Sequence, residues 1–148
     1  MRLLIQRVSQ AKVTVDGKTV GEIGNGLLIF LGVGVGDTEA SCKGMAGKAA
    51  RLRIFEDENG KMNLDVNHVS GSALIISQFT LYGDASKGNR PNFTSAAKPE
   101  EAKRLYELFI TEMQALLGAG RVQAGVFGAM MKVELINDGP VTIWVDSC

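Results

Sequence analysis

Only two cysteines occur in 148 residues, Cys42 and Cys148, too few for a disulfide framework. Histidine is scarcer still. His68 stands alone, with neither cysteine at ligand spacing from it, so no metal and no other cofactor is expected. No apolar run approaches the ~20 residues of a membrane span, and the opening Met1-Arg2-Leu3-Leu4-Ile5-Gln6-Arg7 turns polar too soon for a secretory signal. Net charge is missing as well: 16 basic residues face 16 acidic ones. That balance argues against a general nucleic-acid coat and leaves room for a local basic patch. The expectation is a soluble cytoplasmic protein with no membrane partner, built as one domain over residues 1–148. A chain of this length buries a substantial core.

What is abundant is glycine, at 18 positions, and alternating apolar sequence between the glycines. Residues 2–15 are rich in β-branched side chains and stop at Asp16-Gly17, from which Lys18 to Ile23 returns as a hairpin. Gly26 to Leu31 is a continuous apolar run and predicts a strand buried on both faces. Gly32, Gly34 and Gly36 follow. A dinucleotide-binding loop is excluded because its third glycine falls at Asp37, a carboxylate where a pyrophosphate would sit. Asp37 reads instead as the N-cap of a helix from about Thr38 to Arg53. That helix carries Cys42, Met45, Ala46, Ala49 and Ala50 on one stripe, and its Gly44 and Gly47 suggest close packing on a sheet.

Ala73 to Ile76 predicts another buried strand. At its exit stand Ser77, Gln78 and Thr80, a polar cluster that either belongs to a site or caps the sheet. Residues 82–98 show little periodicity. Lys87 and Arg90 there are candidates for phosphate contact, and Phe93 either anchors the loop or stacks on a base. Pro99, with Glu100 and Glu101 behind it, opens a second helix whose apolar face is Leu105, Leu108, Phe109, Met113 and Leu116. A short strand is expected over 121–126. Met131, Val133 and Leu135 then alternate with polar residues, as do Val141, Ile143 and Val145. Asn137-Asp138-Gly139-Pro140 lies between them, so the pattern reads as strand, reversal, strand. Pro140 has no N–H for a ladder. Two readings stand: an edge strand that begins with proline, or a cis peptide at Gly139-Pro140. Arg7, inside the first strand, reads locally as part of a solvated face.

Ser77-Gln78-Phe79-Thr80-Leu81 and Asn137-Asp138-Gly139-Pro140-Val141-Thr142 resemble, in this order, the two signature motifs of the D-aminoacyl-tRNA deacylases. The resemblance extends through Lys87-Gly88-Asn89-Arg90-Pro91 and Gly125 to Met131 and covers essentially the whole chain. It implies a single three-layer α/β/β domain, with mixed β-sheets and two main helices, that forms a homodimer with its active site at the subunit interface. The substrate implied is D-aminoacyl-tRNA, hydrolysed to free D-amino acid and tRNA, with glycyl-tRNA(Ala) also accepted and L-aminoacyl-tRNA rejected. Ser77, Gln78, Phe79 and Thr80 are the catalytic candidates. Gly139 and Pro140, steadied by Arg7, are expected to reach the partner's site, and Phe127, Met131 and Asn137 complete the substrate-binding set. Lys87 and Arg90 are the candidates for tRNA contact. The rival reading of another class is a small-molecule esterase that uses Thr80 with His68. A non-catalytic RNA-binding module is the third.

Overall fold

Asp16 and Gly17 both take positive φ, 50° and 77°, the two-residue turn that matches the twist of paired strands. They join β1 (Arg2–Val15) to β2 (Lys18–Ile23), as the sequence predicts. The computed structural model describes residues 1–147, and Cys148 lies outside them. After β2 come β3 (Gly26–Gly32), α1 (Glu39–Ala50), the small hairpin of β4 (Phe55–Glu56) and β5 (Met62–Leu64), and β6 (Ser72–Ser77). A 3-10 turn over Phe79–Tyr82, α2 (Pro99–Leu117), β7 (Val122–Ala124) and β8 (Lys132–Asp146) complete the chain.

β1 organises the sheet. Along one edge its residues Arg2 to Val8 pair antiparallel with β3, and Ala11 to Val15 pair with β2. Along the other edge β8 runs antiparallel to both halves, from Arg2↔Asp146 to Thr14↔Lys132. β3, β6 and β7 are mutually parallel. The resulting mixed six-stranded sheet curls into a nearly closed barrel with two helices. Strand alternation sends Leu27, Ile29, Leu31, Ala73 and Ile75 into one core with α1 and α2, while Leu28, Leu74 and Ile76 enter a second core. β1 serves both. Leu3 and Ile5 face the helices, whereas Val8, Ala11 and Val13 face the second core. An extra residue between Val8 and Gln10 keeps Val8, Ala11 and Val13 on one side despite their uneven spacing.

Four local expectations are corrected. No reversal occurs at Gly139. β8 continues past it, and residues 138–141 bulge out opposite the single Arg7, since Gln6 pairs with Thr142 and Val8 with Asn137. The bulge closes on itself because the Asn137 amide stands in for a strand. Its Oδ1 accepts from Val141 N–H at 2.8 Å, and its Nδ2 donates to the Thr142 hydroxyl at 3.0 Å. Arg7 is buried, 6% exposed, rather than solvated. Asp37 does not cap α1. Thr38 does, in a reciprocal box with Ser41, leaving Asp37 to accept from Gly34 N–H at 2.7 Å and to pair with the Met1 ammonium. Finally, Gly44 faces open space and a Cβ on Gly47 would meet the Arg51 guanidinium at 3.0 Å, so neither meets the sheet. The buried stripe of α1 is the expected one.

Candidate functional site

The parallel pair β3–β6 ends where Gln78 N–H donates to Leu31 carbonyl at 2.7 Å. Beyond that bond the chain tightens into the 3-10 turn, and a cleft of about 660 Å³ opens beside it. Ser77, Gln78 and Phe79 form one wall. Phe127, Met130 and Met131, on the segment between β7 and β8, form the facing wall, and Tyr106 of α2 lies in the lining. Among the described residues, no Asp, Glu, His, Lys, Arg or Cys side chain lines this cleft. Thr80 is exposed and sits outside the lining, its hydroxyl taken by the Gln78 amide. The N–H groups of Phe79 and Thr80 open the 3-10 turn and have no carbonyl within it to bond.

Tyr106 is the functional neighbour that sequence reading misses. Its buried hydroxyl donates to Ile75 carbonyl at 3.0 Å, with Gly125 carbonyl at 3.3 Å, and its ring lies 5.8 Å from that of Phe127. Gly125 N–H also donates to Ile75 at 3.0 Å. Tyr106 therefore fastens the segment that carries Phe127 and Met131 to the end of β6. Burial pushes its phenol up to about 12, so it remains a neutral donor. The signal was present in the 4-3-4 spacing of Ala102, Tyr106, Phe109 and Met113, all buried in α2. Leu116, placed on the buried stripe by the sequence, is 38% exposed, and Leu117 is buried instead. Tyr106→Phe is expected to lower stability by about 1 kcal/mol, the net contribution of one buried hydrogen bond. A shift in the urea midpoint with unchanged slope checks it.

The remaining candidates form a second group. Arg7 Nη1 donates to Ile54 carbonyl at 2.7 Å and its Nε to Asp138 carbonyl at 3.0 Å, with the Asp138 carboxylate 3.5 Å away. This guanidinium underpins the bulge that carries Asn137, Gly139 and Pro140. The Gly139-Pro140 peptide is cis. Gly139 and Pro140 are exposed, have no register partner in β1 and do not line the cleft of their own chain. Lys87 and Arg90 project from an exposed loop closed at its base by the Asp84–Asn92 bridge. His68 bonds Asp65 through Nδ1 at 2.8 Å in the segment before β6, away from the cleft. Burial pushes the Cys42 thiol up to about 11, which leaves it unreactive inside α1. Among the described residues no His, Cys, Asp and Glu cluster could hold a metal ion, and no helix is long and apolar enough to cross a membrane.

The chain matches the family model described as D-Tyr-tRNA(Tyr) deacylase over residues 4–146. It is 58% identical over 147 residues to a D-aminoacyl-tRNA deacylase of Roseiflexus castenholzii, covering 99% of this chain and 92% of that one. Among solved structures, the c-Myc DNA Unwinding Element Binding Protein superposes with TM-score 0.94 at 38% identity, over 99% of this chain and 98% of the other. A probable eukaryotic D-amino acid tRNA deacylase shares the fold, with TM-score 0.84 at 18% identity over 97% of each chain.

Proposed function

The chain belongs to the D-Tyr-tRNA(Tyr) deacylase family, and on that premise we propose that it hydrolyses the ester of D-aminoacyl-tRNA to free D-amino acid and tRNA. One observation carries the reading: the cleft is roomy, polar at one wall, and lined among the described residues by no acid or base stronger than a buried tyrosine. Such a site suits a substrate that is already activated. An aminoacyl ester has a ribose hydroxyl as leaving group and a second hydroxyl beside it. Its cleavage needs positioning and oxyanion stabilisation more than a protein base.

In the proposed reaction the ester carbonyl lies against the 3-10 turn. Water, assisted by the ribose 2′-hydroxyl, adds to the carbonyl carbon, and the N–H groups of Phe79 and Thr80 receive the oxyanion. The bond to the 3′-oxygen then breaks, and the ribose leaves with the proton. Ser77 and Gln78 orient the ester. Thr80, with its hydroxyl engaged by Gln78 and no imidazole near, is not the nucleophile. Phe79 and Phe127 shape the pocket and contact the terminal adenosine, with Met131 beside them, while Lys87 and Arg90 meet phosphates.

The working unit is a homodimer in this proposal. Gly139 and Pro140 of the partner subunit enter the cleft, and their carbonyls hold the substrate's α-ammonium group. Their exposure and their absence from the lining of their own chain's cleft favour such a trans arrangement. With ammonium and ester both fixed, an L side chain points into the carbonyl wall and a D side chain points outward. Glycine has nothing to clash, so glycyl-tRNA(Ala) is accepted.

Release of amino acid from matched D-, L- and glycyl-tRNA tests the proposal. Fast release of D and glycine with L spared supports it, equal release of D and L removes the carbonyl wall, and no release from any sinks the deacylase. The rival esterase needs His68. His68→Gln is expected to keep kcat/KM within about twofold, and a collapse of that ratio would favour the rival.

A further inference from the structure

The cleft does not end at its polar wall. Phe79 and Phe93 meet edge to face at its mouth, with ring centroids 5.1 Å apart and planes at 68°. Both remain open to solvent, at 57% and 37% exposure, while Phe109 and Phe55 are buried in the core at 0% and 4%. The Phe93 ring is exposed although its backbone is held on both sides. Asn92 and Asp84 exchange hydrogen bonds of 2.9 and 3.0 Å, and Phe93 carbonyl accepts from Ala96 N–H at 3.0 Å. Gly83 makes room for the ring, since a Cβ there would stand 3.0 Å from Phe93 Cε1. The bridge that fixes Phe93 also closes the loop bearing Lys87 and Arg90. Neither cation has an ion-pair or hydrogen-bond partner among the described residues. Two exposed rings at a preformed angle, beside unpaired positive charge, match the chemistry that holds single-stranded nucleic acid: stacking for the base and cations for the phosphate.

We infer that Phe79 and Phe93 form a stacking platform for the nucleotide that precedes the aminoacylated terminal adenosine, with Lys87 and Arg90 meeting the phosphates that flank it. The inference rests on the deacylase reading, in which the terminal adenosine and its ester fill the cleft. The strand must then leave past the mouth. The next base arrives at the two rings with no pairing partner of its own, and its backbone passes the cationic loop. Stacking on any base is tolerated, so the platform adds affinity for a tRNA end without selecting among tRNAs.

The test compares a D-aminoacyl ester of adenosine with the same ester on a dinucleotide ending in that adenosine. Wild-type protein is expected to favour the dinucleotide about tenfold in kcat/KM, expressed in KM, as the loss of one stacked base implies. Phe93→Ala and Phe93→Leu should both erase the preference, and Phe93→Trp should restore it. Lys87→Ala with Arg90→Ala should raise the KM for the dinucleotide and flatten its dependence on salt. A preference that survives Phe93→Leu, or a wild-type protein without one, overturns the platform. So does failure on both esters by protein that clears D-aminoacyl-tRNA, because recognition would then lie further along the duplex. A changed sedimentation of Phe93→Leu would put a second copy of the chain on the rings and overturn it as well. Inactivity toward D-aminoacyl-tRNA itself would instead count against the deacylase reading.

Discussion

Arg7→Ala is expected to cost about 3 kcal/mol of stability, and with it most deacylation. The residue is 6% exposed. Its fork reaches two carbonyls, Ile54 at 2.7 Å and Asp138 at 3.0 Å, from different parts of the fold. Charge-assisted bonds of this kind exceed neutral ones, and a truncated partner leaves the Ile54 carbonyl without its donor. The pairing with Asp138 adds little, since that carboxylate is more than half exposed. Arg7→Lys should fall between the two, because an ammonium is a point donor and does not reproduce the fork. Urea unfolding and release from D-tyrosyl-tRNA, measured on the same preparations, give the answer. A wild-type midpoint for Arg7→Ala would mean that the bulge stands without its support.

Gly139→Ala should separate activity from stability. At φ 132° a side chain is strained, and a Cβ would come within 2.8 Å of Val141 Cγ2 and 3.0 Å of Arg7 Nη2. The bulge must shift. If the proposed reading is right, its carbonyls then miss the substrate ammonium, and a displacement of about 1 Å costs about 100-fold in rate. The residue is exposed and outside the ladder, so the strain stays local to the bulge and should lower stability by about 1 kcal/mol, well short of the loss expected for Arg7→Ala. Mixing Gly139→Ala with a cleft variant such as Phe127→Ala should recover release, because a mixed dimer has one site with both halves intact. Activity of Gly139→Ala near the wild-type rate would sink the trans arrangement.

Local physics made part of this fold legible. Asp16-Gly17 names its own turn, residues 26–31 read as a strand buried on both faces and are so except at the half-buried Phe30, and Pro99 with two glutamates starts α2 where expected. The misses share a cause: a partner distant in sequence outranks the neighbours. Alternation on both sides of Gly139 resembles a hairpin until β1 is seen to run beside the whole stretch. Asp37 looks like a cap until the Met1 ammonium is placed against it. Arg7 looks solvated until Ile54 arrives over it. For the site, the polar cluster after β6 was readable as residues. The lack of a charged side chain among the described residues lining the cleft was not, because that is a property of what the other elements bring. Tyr106 stayed hidden because its hydroxyl answers to the Ile75 and Gly125 carbonyls, which lie before and after α2 in sequence.

Of the described strands, the earliest in sequence is also the one that waits longest. β1 precedes the other described strands, yet the strand along its second edge is β8, the furthest from it in sequence. While the rest of the chain is translated, that edge presents a row of unsatisfied N–H and carbonyl groups to whatever is nearby. Only with residues 132–146 does it gain a partner, and the same residues deliver the Asn137 to Val141 bulge. Closure of the sheet and arrival of the bulge are thus a single event, so a nascent chain has no finished barrel before it has the segment proposed above to make the chiral choice.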